Sequence, residues 1–293
     1  MHWCFLEVYA LTYMNVLVTG GTGYLGSCVR RFFAADDMSR RSDLDILDAH
    51  DVVTAQKYDV VIHLAAMLDK SPDNADLIFR TNVQGTANLL REMKKDAVFI
   101  FASTKDVYGP FADNYAEVPE DCSTAYLGQS PLEWSKLIAE RYVEYYAHMR
   151  GFRACIFRMS TVYAPLTTGN TPNFVGYFAD CINKGEPLLL PGDGSPRRDL
   201  LHVDDLSRAC KAFAQSVIGH GLYNLGGGVR NAVTLRELVS KLEEISGLQA
   251  VINHNAPSEQ PVPLNYISDL RRVNQELGWE PQIDLITGLK TLF

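Results

Sequence analysis

The chain has 293 residues, of which 47% are hydrophobic, and 27 Lys and Arg against 35 Asp and Glu give a formal net charge of −8. That length and apolar content supply a full core for one large α/β domain with a smaller attached lobe, and exclude a disordered chain. The acidic balance excludes a general nucleic-acid surface but leaves room for a local basic patch around a small anion.

Cys4, Cys28, Cys122, Cys155, Cys181 and Cys210 are scattered singly, with no C-x-x-C pair and no companion histidines at metal-ligand spacing. No metal site is predicted, and reduced packing thiols in a cytoplasmic protein are. Residues 1–13, MHWCFLEVYALTY, precede a second methionine, Met14. They lack a basic n-region and a small-residue cleavage site, and Glu7 interrupts their apolar run, so they read as an extension or an upstream start. No other stretch reaches membrane-spanning length.

From Val16 a β-branched run enters Gly20, Gly23 and Gly26 at G-x-x-G-x-x-G spacing, and Val29, Phe32 and Phe33 continue with helical periodicity. Strand, tight turn and helix are predicted, with a dinucleotide pyrophosphate at the turn. Residues 35–41, ADDMSRR, make a poor second strand, either a short edge strand or a loop. Asp36 or Asp37 there would bind ribose hydroxyls and favour NAD, whereas Ser39, Arg40 and Arg41 would accommodate a 2′-phosphate and tip the balance slightly to NADP. A helix is expected near 49–56, and Tyr58 to Ala66 reads as a strand ending in small residues, with His63 as a core histidine. A helix over 82–94, a strand over 97–104, a helix over 131–150 and a strand over 153–159 follow. This alternation predicts a Rossmann-type, doubly wound parallel sheet that binds ligands at the carboxyl ends of its strands. Prolines and glycines loosen the pattern from about Tyr163, which divides the chain into a dinucleotide-binding domain (14–162) and a mainly substrate-binding lobe (163–293) that can cross back. The lobe carries predicted helices over 174–184, 203–216 and 235–246, with Thr234 capping the last and Asp204 and Asp205 capping the one before.

In order, VTGGTGYLG (18–26), Asp45-Ile46, HLAA (63–66), TNVQGT (81–86), STKDVYG (103–109), SKLIAE (135–140), GDGSPRRDLLHVDDL (192–206) and ELGWEP (276–281) resemble the extended short-chain dehydrogenase/reductase family, within it the nucleotide-sugar epimerases, dehydratases and ketoreductases. The resemblance implies an NAD(P)-dependent oxidoreductase acting on a nucleoside-diphosphate sugar. It places Gly20, Gly23 and Gly26 at the pyrophosphate, with Thr22, Tyr24 and Leu25 of the same turn as further cofactor contacts beside Arg40. Asp45 and Ile46 fall at the adenine, and Leu64, Ala65, Ala66 and Ser103 along the cofactor. Thr104 matches the hydroxyl that assists proton transfer, and Lys136 the lysine on the nicotinamide ribose. Asn82 has a mainly structural role. Arg198 matches the arginine on the substrate diphosphate, and Asn173 a neighbouring substrate contact. A homodimer through the helices at 82–94 and 131–150 is implied as well.

The family's catalytic tyrosine, four residues before the lysine, is absent: the position holds Leu132, which cannot be a general base. Three readings stay open. Another group does the work, with Tyr126, Tyr108, Glu133, Lys105 and Asp106 as candidates; Asp106 matches a dehydratase carboxylate and Lys105 the adjacent acid. Alternatively the protein binds its ligands without turnover, as a regulator or subunit. In the third reading the bound cofactor supports an unusual reaction such as epimerisation by proton abstraction.

Overall fold

The computed structural model describes residues 14–167, 169–253 and 262–293, so the extension at 1–13, with Cys4, lies outside the described residues. In chain order the strands are Val16–Thr19 (β1), Asp36–Met38 (β2), Val60–His63 (β3), Val98–Thr104 (β4), Arg153–Met159 (β5), Thr161–Tyr163 (β6), Pro187–Leu188 (β7), Arg197–His202 (β8), His220–Leu225 (β9), Ala232–Thr234 (β10), Val251–Ile252 (β11) and Asn265–Tyr266 (β12). Six of them form a sheet in the order β2-β1-β3-β4-β5-β9. Every pairing in it is parallel.

Burial explains the sequence of these strands. Successive side chains of a strand point to opposite faces, so Val16, Val18, Val60, Ile62, Val98 and Ile100 join one core with Val29, Leu206 and Phe213. Their neighbours Leu17, Val61, Phe99 and Phe101 join a second core with Leu89, Leu90, Ala139 and Val143. Helices Tyr24–Phe33 and Val203–Gln215 cover the first face, and Gly85–Glu92 and Pro131–Arg150 the second. A sheet buried on both faces needs the continuous apolar runs seen here. The chain leaves β1 for β2 on one side and returns for β3 on the other, which opens a crevice above the carboxyl ends of β1 and β3.

The uncertain second strand is a three-residue edge strand, its Asp37 opposite Val18. The helix expected near 49–56 is split into Ala49–Val52 and a 3₁₀ segment, Val53–Lys57. The one expected over 82–94 begins earlier, at Ala75, and passes through a π turn, Arg80–Gln84, before Gly85–Glu92. Asn82 lies in that π turn, its side chain engaged with both Met67 main-chain groups and with Ser135 Oγ.

Beyond Tyr163 a third core gathers Val175, Phe178, Leu200, Leu238 and Leu289. Strand β8 pairs with β6 and β12 in parallel and with β10 antiparallel. The chain also comes back to the main sheet, where β9 lies parallel to β5 with Ile156 opposite Leu222. Asp204 and Asp205 do not cap the Val203–Gln215 helix. His202 is its N-cap, and Asp205 is fully buried, accepting from Arg208 and from the backbone N–H groups of Gln282 and Ile283.

Candidate functional site

The glycine turn is built by close approach. Gly20 has φ +71°, and a Cβ there would stand 2.9 Å from the Ala65 nitrogen; a Cβ on Gly26 would stand 2.0 Å from the Gly20 oxygen. Both positions therefore need glycine. Gly23 is the N-cap of the Tyr24–Phe33 helix and supplies no side-chain cap, leaving first-turn N–H groups for an anion. At the end of β2 the Asp37 carboxylate accepts from Ser39 and Ser42, while its Oδ1 is buried without a hydrogen-bond partner beside Gly21. These features fit a dinucleotide: donors for the pyrophosphate, and an acceptor suited to ribose hydroxyls but opposed to a 2′-phosphate.

The other residues assigned to this end are placed as follows. Thr22 Oγ1 is hydrogen-bonded to Ser39 Oγ, and the Tyr24 phenol donates to the Ala164 oxygen at 2.6 Å, tying the helix to the second lobe. Asp45 accepts from the Leu47 N–H, and Ile46 is buried against Gly85. Leu64 and Ala65 follow β3, their N–H groups donating to Thr19. Arg40 is exposed, and its neighbour Arg41 is engaged with Thr22, Gly169 and Asn170.

A cleft of about 550 Å³ lies over the ends of β3, β4 and β5. Leu25, Leu64, Ala66, Ser103, Thr104, Lys105, Asp106, Leu132, Lys136, Asn173 and Arg198 all line it, so residues far apart in the sequence converge there. Tyr126 is not brought to it: the ring is 65% exposed and packs on Trp134. Tyr108 is fully buried, donates to Asn224 Oδ1, and is held protonated by burial. Neither tyrosine lines the cleft. Leu132 is buried on the helix face that carries Lys136.

Charge is concentrated around Asp106. Its carboxylate pairs with Lys105 and with Lys70, and Lys70 also reaches Glu133 at 2.8 Å. Burial works against the Asp106 charge, but Lys105, Lys70 and Arg198 outweigh it and hold the carboxyl well below its usual range. Burial pushes the Lys105 ammonium down, partly offset by Asp106. For Lys70 the cost of burial is exceeded by the attraction of Asp106 and Glu133, and its pKa rises. Lys136 differs from these. Its Nζ donates to the Ala102 oxygen at 2.7 Å above the Phe101 ring, and burial pushes it down to about 8 against a smaller opposing effect of Glu140.

Several groups in the wall are occupied by the fold itself. Thr104 accepts from the Asp106 N–H, and Ser103 donates to Glu140. Arg198 donates to the main-chain oxygens of Arg197, Pro263 and Leu264. Asn173 caps the Phe174–Lys184 helix at Val175 and Gly176 and donates to Val162. His63 is fully buried between Thr19 and Thr86. Because the Thr86 hydroxyl donates to Asn82, it accepts from His63 Nε2–H, and the ring stays neutral with its pKa down to about 3 through burial. Lys70, Ser160 and Thr161 also line the cleft without having been singled out from the sequence. Lys70 stands in MLDKSPDN with no motif to mark it, whereas Ser160 and Thr161 lie just past a strand end, where a parallel sheet places its ligands.

Residues 16–226 match the model of the NAD dependent epimerase/dehydratase family. CDP-paratose 2-epimerase of Salmonella typhi is 27% identical, across 96% of this chain and 98% of its own length. UDP-glucuronate 4-epimerase of Thermodesulfobacterium geofontis is 30% identical, across 78% and 70%. Among solved structures, MoeE5 in complex with UDP-glucuronic acid and NAD superposes with a TM-score of 0.82 at 27% identity, covering 95% of this chain and 97% of that one. That neighbour holds NAD, and the expectation of NADP finds no support in it.

Proposed function

The chain belongs to the NAD-dependent epimerase/dehydratase family, and from that premise we propose that it modifies a nucleoside-diphosphate sugar by redox chemistry at a hydroxyl-bearing carbon, with acid/base groups other than the usual helix tyrosine. One observation carries this reading: a single cleft joins Thr104, Lys136 and Arg198 at the strand ends. Lys70, Lys105, Lys136 and Arg198 line it against the one carboxylate of Asp106, in a chain of net charge −8. Such a wall suits a ligand with two phosphates.

The cofactor in this reading is NAD, held at the glycine turn with its ribose hydroxyls on Asp37. When bound it supplies the hydride acceptor and donor. The chain positions the sugar: Thr104 offers a hydroxyl to the reacting oxygen, and the cationic wall holds the phosphates and excludes water. Leu132 favours a second reading, in which the protein binds both ligands and turns nothing over. The reading includes a cytoplasmic homodimer through the Pro131–Arg150 helix, supported by the exposed Tyr142, Tyr145 and Met149 on it.

Calorimetry with NAD, UDP-glucose and UDP-glucuronate, followed by nicotinamide absorbance in single turnovers, tests this. Saturable binding of NAD and of a nucleotide sugar is expected, with absorbance change on mixing. Binding without that change establishes the second reading. Absence of binding by either ligand class overturns both.

A further inference from the structure

Resting on the nucleotide-sugar reading, we propose that Lys136 itself is the acid/base group of this site, its Nζ exchanging a proton directly with the sugar hydroxyl, and that Leu132 enables this by keeping the ammonium without a partner.

Elimination among the cleft's ionisable groups leads here. Arg198 is permanently charged and engaged with three main-chain oxygens. Lys105 and Asp106 are locked in an ion pair, and the Asp106 charge is so well stabilised that it is a poor base. Lys70 bonds two carboxylates and is held protonated. Of the lysines that line the cleft, Lys136 alone has no carboxylate within ion-pair distance among the described residues; its Nζ has the Ala102 oxygen and the Phe101 face. A carbonyl acceptor leaves the lone pair of a neutral amine free to take a proton.

The groups packed around Lys136 are arranged to keep it without a counter-charge. Glu140, one turn along the same helix, is bound by Arg158 through two nitrogens and by Ser103. His63 on β3 is neutral. Lys70, Lys105, Asp106 and Arg198 share the cleft but are satisfied among themselves and the main chain. Residues four apart lie on one helix face, so the position before Lys136 decides its environment. A phenol at 132 would offer oxygen and negative charge, whereas Leu132 offers hydrocarbon. Burial brings the amine to about 8, where neutral and charged forms coexist near neutral pH, the condition for efficient proton transfer.

In the oxidative direction the sugar O–H bond breaks and an N–H bond forms on the Nζ lone pair. The oxygen keeps the electron pair and becomes a carbonyl as the carbon's hydrogen leaves as hydride for oxidised nicotinamide dinucleotide. Neutral amine becomes ammonium, which returns the proton when the carbonyl is reduced.

The test joins a direct titration to kinetics. In protein labelled with ¹⁵N at lysine Nζ, the Lys136 resonance, assigned by its loss in Lys136→Met, is expected to titrate with a midpoint of about 8. The single-turnover rate with NAD and UDP-glucose or UDP-glucuronate should rise with pH through the same midpoint. Lys136→Arg keeps the cation but has no neutral form, so it should slow that step by about 100-fold or more while nucleotide-sugar affinity holds. Leu132→Tyr should move both midpoints together. A Lys136 that stays protonated to about pH 10, or a Lys136→Arg protein with the wild-type rate and pH profile, overturns the assignment. So does wild-type protein that binds the nucleotide sugar without turnover, with the binding half of the functional reading left standing. Absence of nucleotide-sugar binding sinks that reading instead, and this proposal with it.

Discussion

Glu140 and Arg158 are 1% and 2% exposed, and the Arg158 Nη2 to Glu140 Oε2 distance is 2.7 Å. Charges so deep are costly unless fully bonded. Here Ser103 donates to the carboxylate, Arg158 adds a second nitrogen to it, and the guanidinium lies 4.9 Å from the Tyr108 ring centre. Replacing one member leaves the other buried and alone. Glu140→Gln is therefore expected to cost about 3–5 kcal/mol in urea unfolding. The double change Glu140→Leu with Arg158→Met should recover most of it, because the burden is the unpaired ion rather than the missing attraction. Loss in the double variant equal to that in the single would show instead that the network's geometry carries the stability. At this scale residues are legible in the sequence where chemistry and local spacing coincide. Gly20, Thr104 and Lys136 announce themselves by neighbours in a motif. Arg158 gives no such sign, since an arginine within a strand acquires meaning only through a carboxylate on a helix packed across from it.

Helix ends show the same contrast between local and distant causes. Ser130 with Glu133 and Thr234 with Glu237 form capping boxes, and Gly151, Gly185 and Gly247 close helices in the left-handed conformation. Such boundaries are set within a few residues and can be read directly. The π turn at Arg80–Gln84 could not be, because the partners of its Asn82, Met67 and Ser135, lie outside that helix. Asn173 combines both kinds: it caps Phe174–Lys184 locally and donates to the Val162 oxygen on β6. Asn173→Ala removes the cap and leaves that carbonyl without its donor. A loss of about 1–2 kcal/mol is expected, read as a melting temperature lower by about 2–4 °C. NAD affinity should be unchanged, since the glycine turn is untouched. A fall in NAD affinity matching the fall in stability would mean that this helix also braces the cofactor end.

The main sheet closes with β9, a strand about 60 residues beyond the point where the pattern loosens. Six residues, HGLYNL, cannot signal in isolation that they will pair with β5, so this return was the least legible part of the fold. It shares one core with the Val203–Gln215 helix and the glycine-turn helix, through Tyr223, Leu206 and Val29. The resulting charge distribution makes a prediction about the whole molecule. A net charge of −8 repels an anionic ligand at long range, and salt screens that repulsion with a Debye length of about 8 Å at physiological strength. In the proposed reading the attraction comes mainly from Lys105 and Arg198, each at most 6% exposed, which salt reaches poorly. Only the Lys70 side chain, 56% exposed, is open to screening. The opposing effects should nearly cancel, so nucleotide-sugar affinity is expected to change less than about threefold between about 50 and about 500 mM NaCl. Lys70→Met should tilt the balance toward tighter binding at high salt, because the screened attraction is gone and the screened repulsion remains. Calorimetry across that range decides the matter: a steep loss of affinity with salt would place the phosphates on exposed surface charge rather than in the buried cationic wall.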